Sequence, residues 1–202
     1  MAMPDTRPHR CPSPDRTVWT VADLEAIPDD GHRYEILHGE LLVTPLPSTG
    51  HQRIAMRLTV LTVMWCRAHT GWTVLAPGGV HISETTWLEP DLALYAAPES
   101  ADLSWREMPP PLLMVEVLSP STRRRDRHRK RPTYLAHGVG ELWLVDQDTR
   151  SVERWTSASE FPETFREGIT WTPGPALPPL VVTADEIFGA ATQPDDRSNA
   201  AR

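Results

Sequence analysis

Lysine is almost missing from this 202-residue chain: Lys130 stands alone against nineteen arginines. Lys carries a compact charge on a flexible stem and Arg a planar fork suited to bidentate pairing, so the one basic position that kept Lys invites a chemical reason. Cysteine is scarce too. Cys11 and Cys66 make neither a disulfide framework nor a metal-binding spacing, which fits a reducing cytoplasm. Long apolar runs are absent: no stretch nears the roughly eighteen residues of a membrane span, and residues 1–16 lack the apolar core of a signal peptide. Net positive charge is also lacking. At −7, with a pI of about 5.6, the chain as a whole is no indiscriminate polyanion binder, and any nucleic-acid contact needs a local patch.

Eight tryptophans and a 40% hydrophobic content supply one core, and the length suits one domain. Residues 1–16 and 191–202 are polar, rich in Pro, Asp, Arg and Ser, and are expected to be disordered tails around a domain at 17–190. Thr20-Val-Ala-Asp23 reads as a capping box before a short helix that Pro28 ends. Tyr34–Val43 alternates about Gly39, the pattern of a hairpin. From His51 the period lengthens, and Ile54, Leu58, Leu61 and Trp65 share a helical face that closes by Gly71.

Strands are expected at Trp72–Ala76, Asp91–Tyr95 and Leu112–Leu118, then a helix within Asp126–His137 and strands at Glu141–Asp146 and Ser151–Trp155. Short irregular strands follow, and Thr183-Ala-Asp-Glu186 caps a last helix. This order implies an α/β fold, a mixed β-sheet flanked by helices.

Leu112–Leu118 is apolar on both faces except for Glu116, the mark of a covered central strand. A carboxylate buried there costs several kcal/mol unless it is paired, coordinated or hydrogen-bonded. If the neighbouring strand pairs with it, Asp91 and Glu116 converge at one sheet edge. Two such carboxylates, with a backbone carbonyl and waters, suit Mg²⁺ or Mn²⁺. An Asp91 turn cap and a Glu116–Arg ion pair explain the same residues without a metal. Thr122–Arg131 holds seven Lys/Arg against one Asp, either a solvated helix face or a phosphate-contacting patch through Arg123, Arg124 and Arg125.

Other residues read more plainly. His51 caps its helix or bonds a backbone group, Glu35 and His38 lie at the surface, and Tyr134 packs in the core. The tryptophans pack rather than stack bases, and Ser119-Pro-Ser-Thr has no partnered His for acyl transfer.

Tyr34-Glu-Ile-Leu-His-Gly-Glu-Leu41, Pro-Ser-x-x-His51, Pro90-Asp91-Leu, Val115-Glu116-Val-Leu-Ser-Pro-Ser-Thr122, Asp126-x-x-x-Lys130, Tyr134 and Glu141-Leu-Trp-Leu-Val-Asp146 occur in this order. Together they resemble the Uma-two family of restriction-endonuclease-like proteins, within the PD-(D/E)XK nuclease superfamily, over residues 18–189. The resemblance implies a restriction-endonuclease-like core, DNA as substrate, and Mg²⁺ or Mn²⁺ held by Asp91 and Glu116. It also implies Glu40 as a further acidic site residue, and a matching His51. The superfamily's usual Lys, two residues after the second carboxylate, is Leu118 in this chain. The family's pattern supplies Lys130 from the following helix instead, as a cation that would position the attacking water or stabilise the charge developing on the phosphate.

Arg131-Pro132 complicates that aim. An interior Pro kinks a helix at a cost of about 3 kcal/mol, unless the helix restarts at Pro132 and leaves Lys130 on a loop. A non-catalytic nuclease-fold module that binds nucleic acid or protein is the competing reading. A homodimer would suit the cutting of two strands, though no motif demonstrates one.

Overall fold

His38 and Gly39 both take positive φ, 54° and 82°, the pair of left-handed conformations that a two-residue type I′ hairpin demands. They join β1 (Arg33–Leu37) to β2 (Glu40–Thr44), preceded by the short helix α1 (Val21–Leu24). The structure is a computed structural model, and it describes residues 17–27, 30–44, 46–69, 71–96 and 103–190. Pro28, Cys11 and the two expected tails lie outside those residues. At α1 the Asp23 carboxylate accepts the Thr20 backbone N–H at 2.8 Å, as the capping-box spacing requires.

Helix α2 (Thr49–Ala68) starts at Ser48, whose hydroxyl accepts the His51 N–H. Its buried residues Ile54, Leu58, Thr62 and Trp65 repeat at three and four, so one stripe faces the core. Next come β3 (Thr73–Leu75), β4 (Val80–Ser83), β5 (Thr86–Leu88), β6 (Leu92–Tyr95) and β7 (Leu113–Leu118). β4 and β5 were not foreseen; they join the hairpin in a sheet ordered β2-β1-β5-β4.

After β7 the chain winds through α3 (Arg123–Arg125), a π turn (Asp126–Lys130) and α4 (Arg131–His137), which Gly138 ends at φ 99°. The remaining elements are β8 (Glu141–Asp146), β9 (Ser151–Trp155), β10 (Glu163–Phe165), β11 (Gly168–Trp171), β12 (Leu180–Thr183) and α5 (Ala184–Phe188). The Thr183–Glu186 capping box opens α5.

The main sheet runs β10-β9-β8-β7-β6-β3, with only β7 and β8 parallel. All six β7 residues are buried, as its two-sided apolar sequence dictates. Val115 and Val117 pack with Ile54, Leu58 and the β11–β12 ribbon. Met114 and Leu118 face the opposite way, toward Leu37, Leu88 and Tyr134. Trp65, Trp72 and Trp171 meet edge to face at 5.4–5.9 Å, so these three tryptophans are core. Among the described residues no helix is long and apolar enough to cross a membrane.

Asp146 ends β8 as a local clamp. One oxygen takes Arg127 at 3.0 Å; the other takes the Asp148 and Thr149 N–H groups of the turn into β9. Burial opposes its charge, but these donors hold its pKa below the ordinary carboxylate value. A lowered folded pKa adds stability above the unfolded pKa, lost as pH falls through the folded one. Asp146→Asn is therefore expected to cost about 1.5–3 kcal/mol near neutral pH, the range for hydrogen bonds to a charged group. In urea melts the gap from wild type should narrow as the medium is acidified below the unfolded carboxylate pKa. A gap that widened on acidification would contradict this reading.

Candidate active site

β6 runs antiparallel to β7 with Leu92 across from Val115 and Ala93 across from Met114. Carrying that register one step further sets Asp91 across from Glu116. The Asp91 carboxylate accepts the Val117 backbone N–H at 2.8 Å, which stitches it to the β7 edge. Its other oxygen takes Arg33 of β1 at 3.2 Å, while His51 Nε2 sits 3.2 Å from the Val117-bonded one.

Burial raises the Asp91 pKa, yet His51, Arg33 and the Val117 N–H together bring it below its ordinary value. For His51, burial opposes the charged ring and Asp91 outweighs it, raising that pKa. His51 thus turns its ring to a carboxylate, and the helix cap falls to Ser48. Among the described residues its buried Nδ1 has no hydrogen-bond partner.

Glu116 is 3% exposed, on the face with Met114 and Leu118. Its Oε1 accepts the Tyr134 hydroxyl at 2.7 Å and the Lys130 ammonium at 3.1 Å. Burial pushes its carboxyl up to about 7, helped by Asp126, Asp91 and Glu35 and opposed by Lys130. Tyr134 is therefore more than core filling.

Lys130 is 1% exposed, and its Nζ lies 2.7 Å from Glu35 and 4.0 Å from Asp126. Burial disfavours its charge, but Glu116, Glu35 and Asp126 overcome that and raise its pKa. This ammonium is a fixed cation and not a proton acceptor.

At Arg131-Pro132 the α-helix does restart, with Pro132 in the first turn of α4, but Lys130 is not left on a loop: it ends a π turn in which the Arg131 N–H reaches back to the Asp126 carbonyl. A π turn loosens the packing where the Pro ring would strike a preceding carbonyl, and such bulges recur at functional sites. It leaves Asp126 and Lys130 both buried, so the Pro that threatened the aim of Lys130 sits beside the turn that sets it.

Glu35 corrects the sequence reading, which left it at the surface: it is 0% exposed. Its Oε1 accepts both Lys130 and the Glu89 N–H, and among the described residues its buried Oε2 has no partner. Strand alternation held the signal, since Glu35 shares a face of β1 with the fully buried Leu37. Arg33 was missed altogether. Burial works against its charge, and Asp91, Glu116 and Glu35 hold its pKa above the ordinary value.

Asp91, Glu116, Val117, Asp126, Lys130, Arg33 and His51 line one cavity of about 100 Å³, together with Ser119, Thr122 and Arg125. Glu40 is not brought there; it is exposed and pairs with Arg129 at 2.7 Å. The basic block is largely spent inside the protein. Arg123 pairs with Asp148, Arg127 with Asp146 and Glu153, and Arg131 lies over the Trp155 ring. Arg125 donates to Thr44, and Arg124 is exposed. A second, wider cleft shares Gly31, Arg33, Leu46 and Pro47 with the cavity and is lined by Trp87 and Trp105.

Among the described residues no three His, Cys, Asp or Glu side chains are grouped to hold a metal. The donor set does fit a hard cation that keeps its waters. Mg²⁺ is commonly held by one or two carboxylates together with water and substrate phosphate. Two carboxylates and Val117 share the cavity wall.

A family model described as "Putative restriction endonuclease" (Uma2) matches residues 21–185. A crystal structure of a "putative nuclease belonging to DUF820" from Anabaena variabilis superposes with a TM-score of 0.68 at 18% identity, covering 84% of this chain and 97% of that one. At that identity the likeness shows a shared fold, which is the restriction-endonuclease-like mixed α/β core expected from sequence. No curated protein matches the chain.

Proposed function

The chain belongs to the Uma2 family of restriction-endonuclease-like proteins, and on that premise we propose that it is a metal-dependent endonuclease hydrolysing DNA phosphodiester bonds. The observation that carries the reading is the meeting of Asp91, Glu116 and Lys130 on the wall of one cavity at the β6–β7 edge. Asp91 and Glu116 would hold Mg²⁺ or Mn²⁺. When bound, such an ion polarises a phosphoryl oxygen and makes a water more acidic.

The protein's own groups supply the rest. Lys130, clamped by Glu35 and Glu116, presents a permanent positive charge where phosphate charge develops. Arg33 and His51 fix the orientation of Asp91, and Tyr134 fixes Glu116. Arg124, exposed, and Arg125, which lines the cavity, meet the phosphate backbone; Arg123 joins them only by releasing Asp148. Glu40, held by Arg129 outside the cavity, contributes at most to the shape of the approach. Cutting both strands asks for two such sites, as a homodimer would provide.

The test is conversion of supercoiled plasmid to nicked and linear forms with Mg²⁺ or Mn²⁺, comparing wild type with Asp91→Ala and Lys130→Met. Cleavage by wild type that both variants lose supports the proposal. Equal background from all three sinks it. One observation favours the non-catalytic reading: both Asp91 oxygens are already engaged by Arg33, His51 and Val117. That reading predicts duplex binding with no divalent-dependent cutting.

A further inference from the structure

Gly50, Arg53, Ile54 and Arg57 recur at i, i+3, i+4 and i+7, one face of the first two turns of α2. With Gln147, Arg150 and Phe188 they line a cavity of about 250 Å³ separate from the one holding Asp91 and Glu116. Three arginine side chains thus line one pocket. Arg150 is fixed there: it donates to the Gly189 carbonyl at 2.8 Å, lies over the Phe188 ring, and has Asp185 at 3.5 Å. Arg57 donates to the Ile187 carbonyl at 3.3 Å. Arg53 is exposed, and no acidic side chain neutralises it or Arg57 among the described residues. Asp185, the one carboxylate near the group, is 71% exposed, so solvent screens it.

The position matters as much as the charge. His51, which contacts Asp91, and Gly50, which lines the arginine pocket, are successive residues of α2. Glu116 and Ser119 come from the end of β7; Gln147 and Arg150 come from the turn leaving its parallel neighbour β8. Both cavities therefore open at the carboxyl edge of the parallel pair, where open α/β sheets take their ligands. The positive end of the α2 helix dipole lies on the same side.

We propose that Arg53, Arg57 and Arg150 form a phosphate subsite for the nucleic-acid backbone, next to the phosphodiester held in the catalytic cavity. The subsite rests on the nuclease reading for its neighbour, but its ligand is recognised by charge and fork geometry alone. It also relocates the principal backbone contact. Within the 122–131 block Arg123, Arg127 and Arg129 are paired with acids of this chain, whereas Arg53 and Arg57 of α2 have no acidic partner among the described residues.

The test is anisotropy of a fluorescein-labelled 20-base-pair DNA duplex in EDTA, so that cleavage cannot interfere, across a series of salt concentrations. Arg53→Ala and Arg57→Gln should each weaken binding roughly three- to ten-fold and flatten the slope of log K against log salt by about 1. Arg67→Ala, in the last turn of the same helix, should match wild type. Among the described residues Arg53 makes no hydrogen bond or ion pair, so its loss should leave the thermal midpoint unchanged; Arg57→Gln, which keeps a donor for Ile187, is the second arm. Unchanged affinity and slope in both variants overturn the subsite.

Calorimetric titration with inorganic phosphate separates the sources of the anion. Sub-millimolar phosphate binding that Arg53→Ala abolishes while duplex binding stays intact would assign the pocket to a free anion and also overturn the proposal. Variants that lose duplex binding alongside a wild type that never cuts would uphold the subsite and sink the nuclease reading alone.

Discussion

Asp91→Asn is expected to lower plasmid cleavage by on the order of 10²–10³-fold, the loss typical of removing one preorganised electrostatic group from an active site. Asparagine is the sharper substitution because it preserves shape. Its amide oxygen still accepts the Val117 N–H now bonded to Asp91 at 2.8 Å, so the β6–β7 edge holds. What disappears is the charge that faces Arg33 and His51 and that would face a cation.

Two measurements separate loss of the ion from loss of the fold. Ion binding stabilises the folded state by RT ln(1 + [L]/Kd), about 2.7 kcal/mol at a hundredfold excess over Kd. Wild type should therefore melt higher in Mg²⁺ or Mn²⁺ than in EDTA, and the Asn variant should melt alike in both. If the variant keeps the metal-induced shift and cuts within tenfold of wild type, Asp91 is not the residue that holds the ion.

Much of this arrangement was legible in the chain because local rules decide it. The His38-Gly39 pair between alternating segments specifies the hairpin. The unbroken apolar run around Glu116 specifies a central strand, and a lone carboxylate in such a strand points to a partner. The rest depends on contacts distant in sequence. β4 and β5 are three or four residues each, joined through a register shift after His81, so no period is long enough to read.

Glu35 was misplaced because its charge was weighed above its alternation with Leu37. The Arg33 and His51 contacts to Asp91 span 58 residues for the first and cannot be seen from neighbours. The π turn is a third case. Sequence shows the Pro132 clash but not which neighbouring turn will yield, and it yields where three buried carboxylates can receive Lys130.

Those carboxylates decide the second large effect. Lys130→Met is expected to cost about 3–5 kcal/mol of stability, the range for removing one partner of a buried ion pair. Methionine fills much the same volume, so the loss is electrostatic: Glu35 and Glu116, now 2.7 and 3.1 Å from the ammonium, would face each other and Asp126 uncompensated. Arginine is no remedy, since its broad fork replaces a point charge inside a space 1% exposed.

The cause is isolated by a double mutant. Glu35→Gln keeps an acceptor for the Glu89 N–H while deleting one negative charge. It should destabilise the wild type, where Lys130 uses that charge, and do so less, or even stabilise, in the Lys130→Met background. A coupling energy of 0.5–3 kcal/mol is the scale for residues in one ionic network. Urea melts of the four proteins in EDTA give it directly. Strict additivity would mean that Lys130 is held by packing alone, and that the chain's single lysine owes its place to something other than the carboxylates around it.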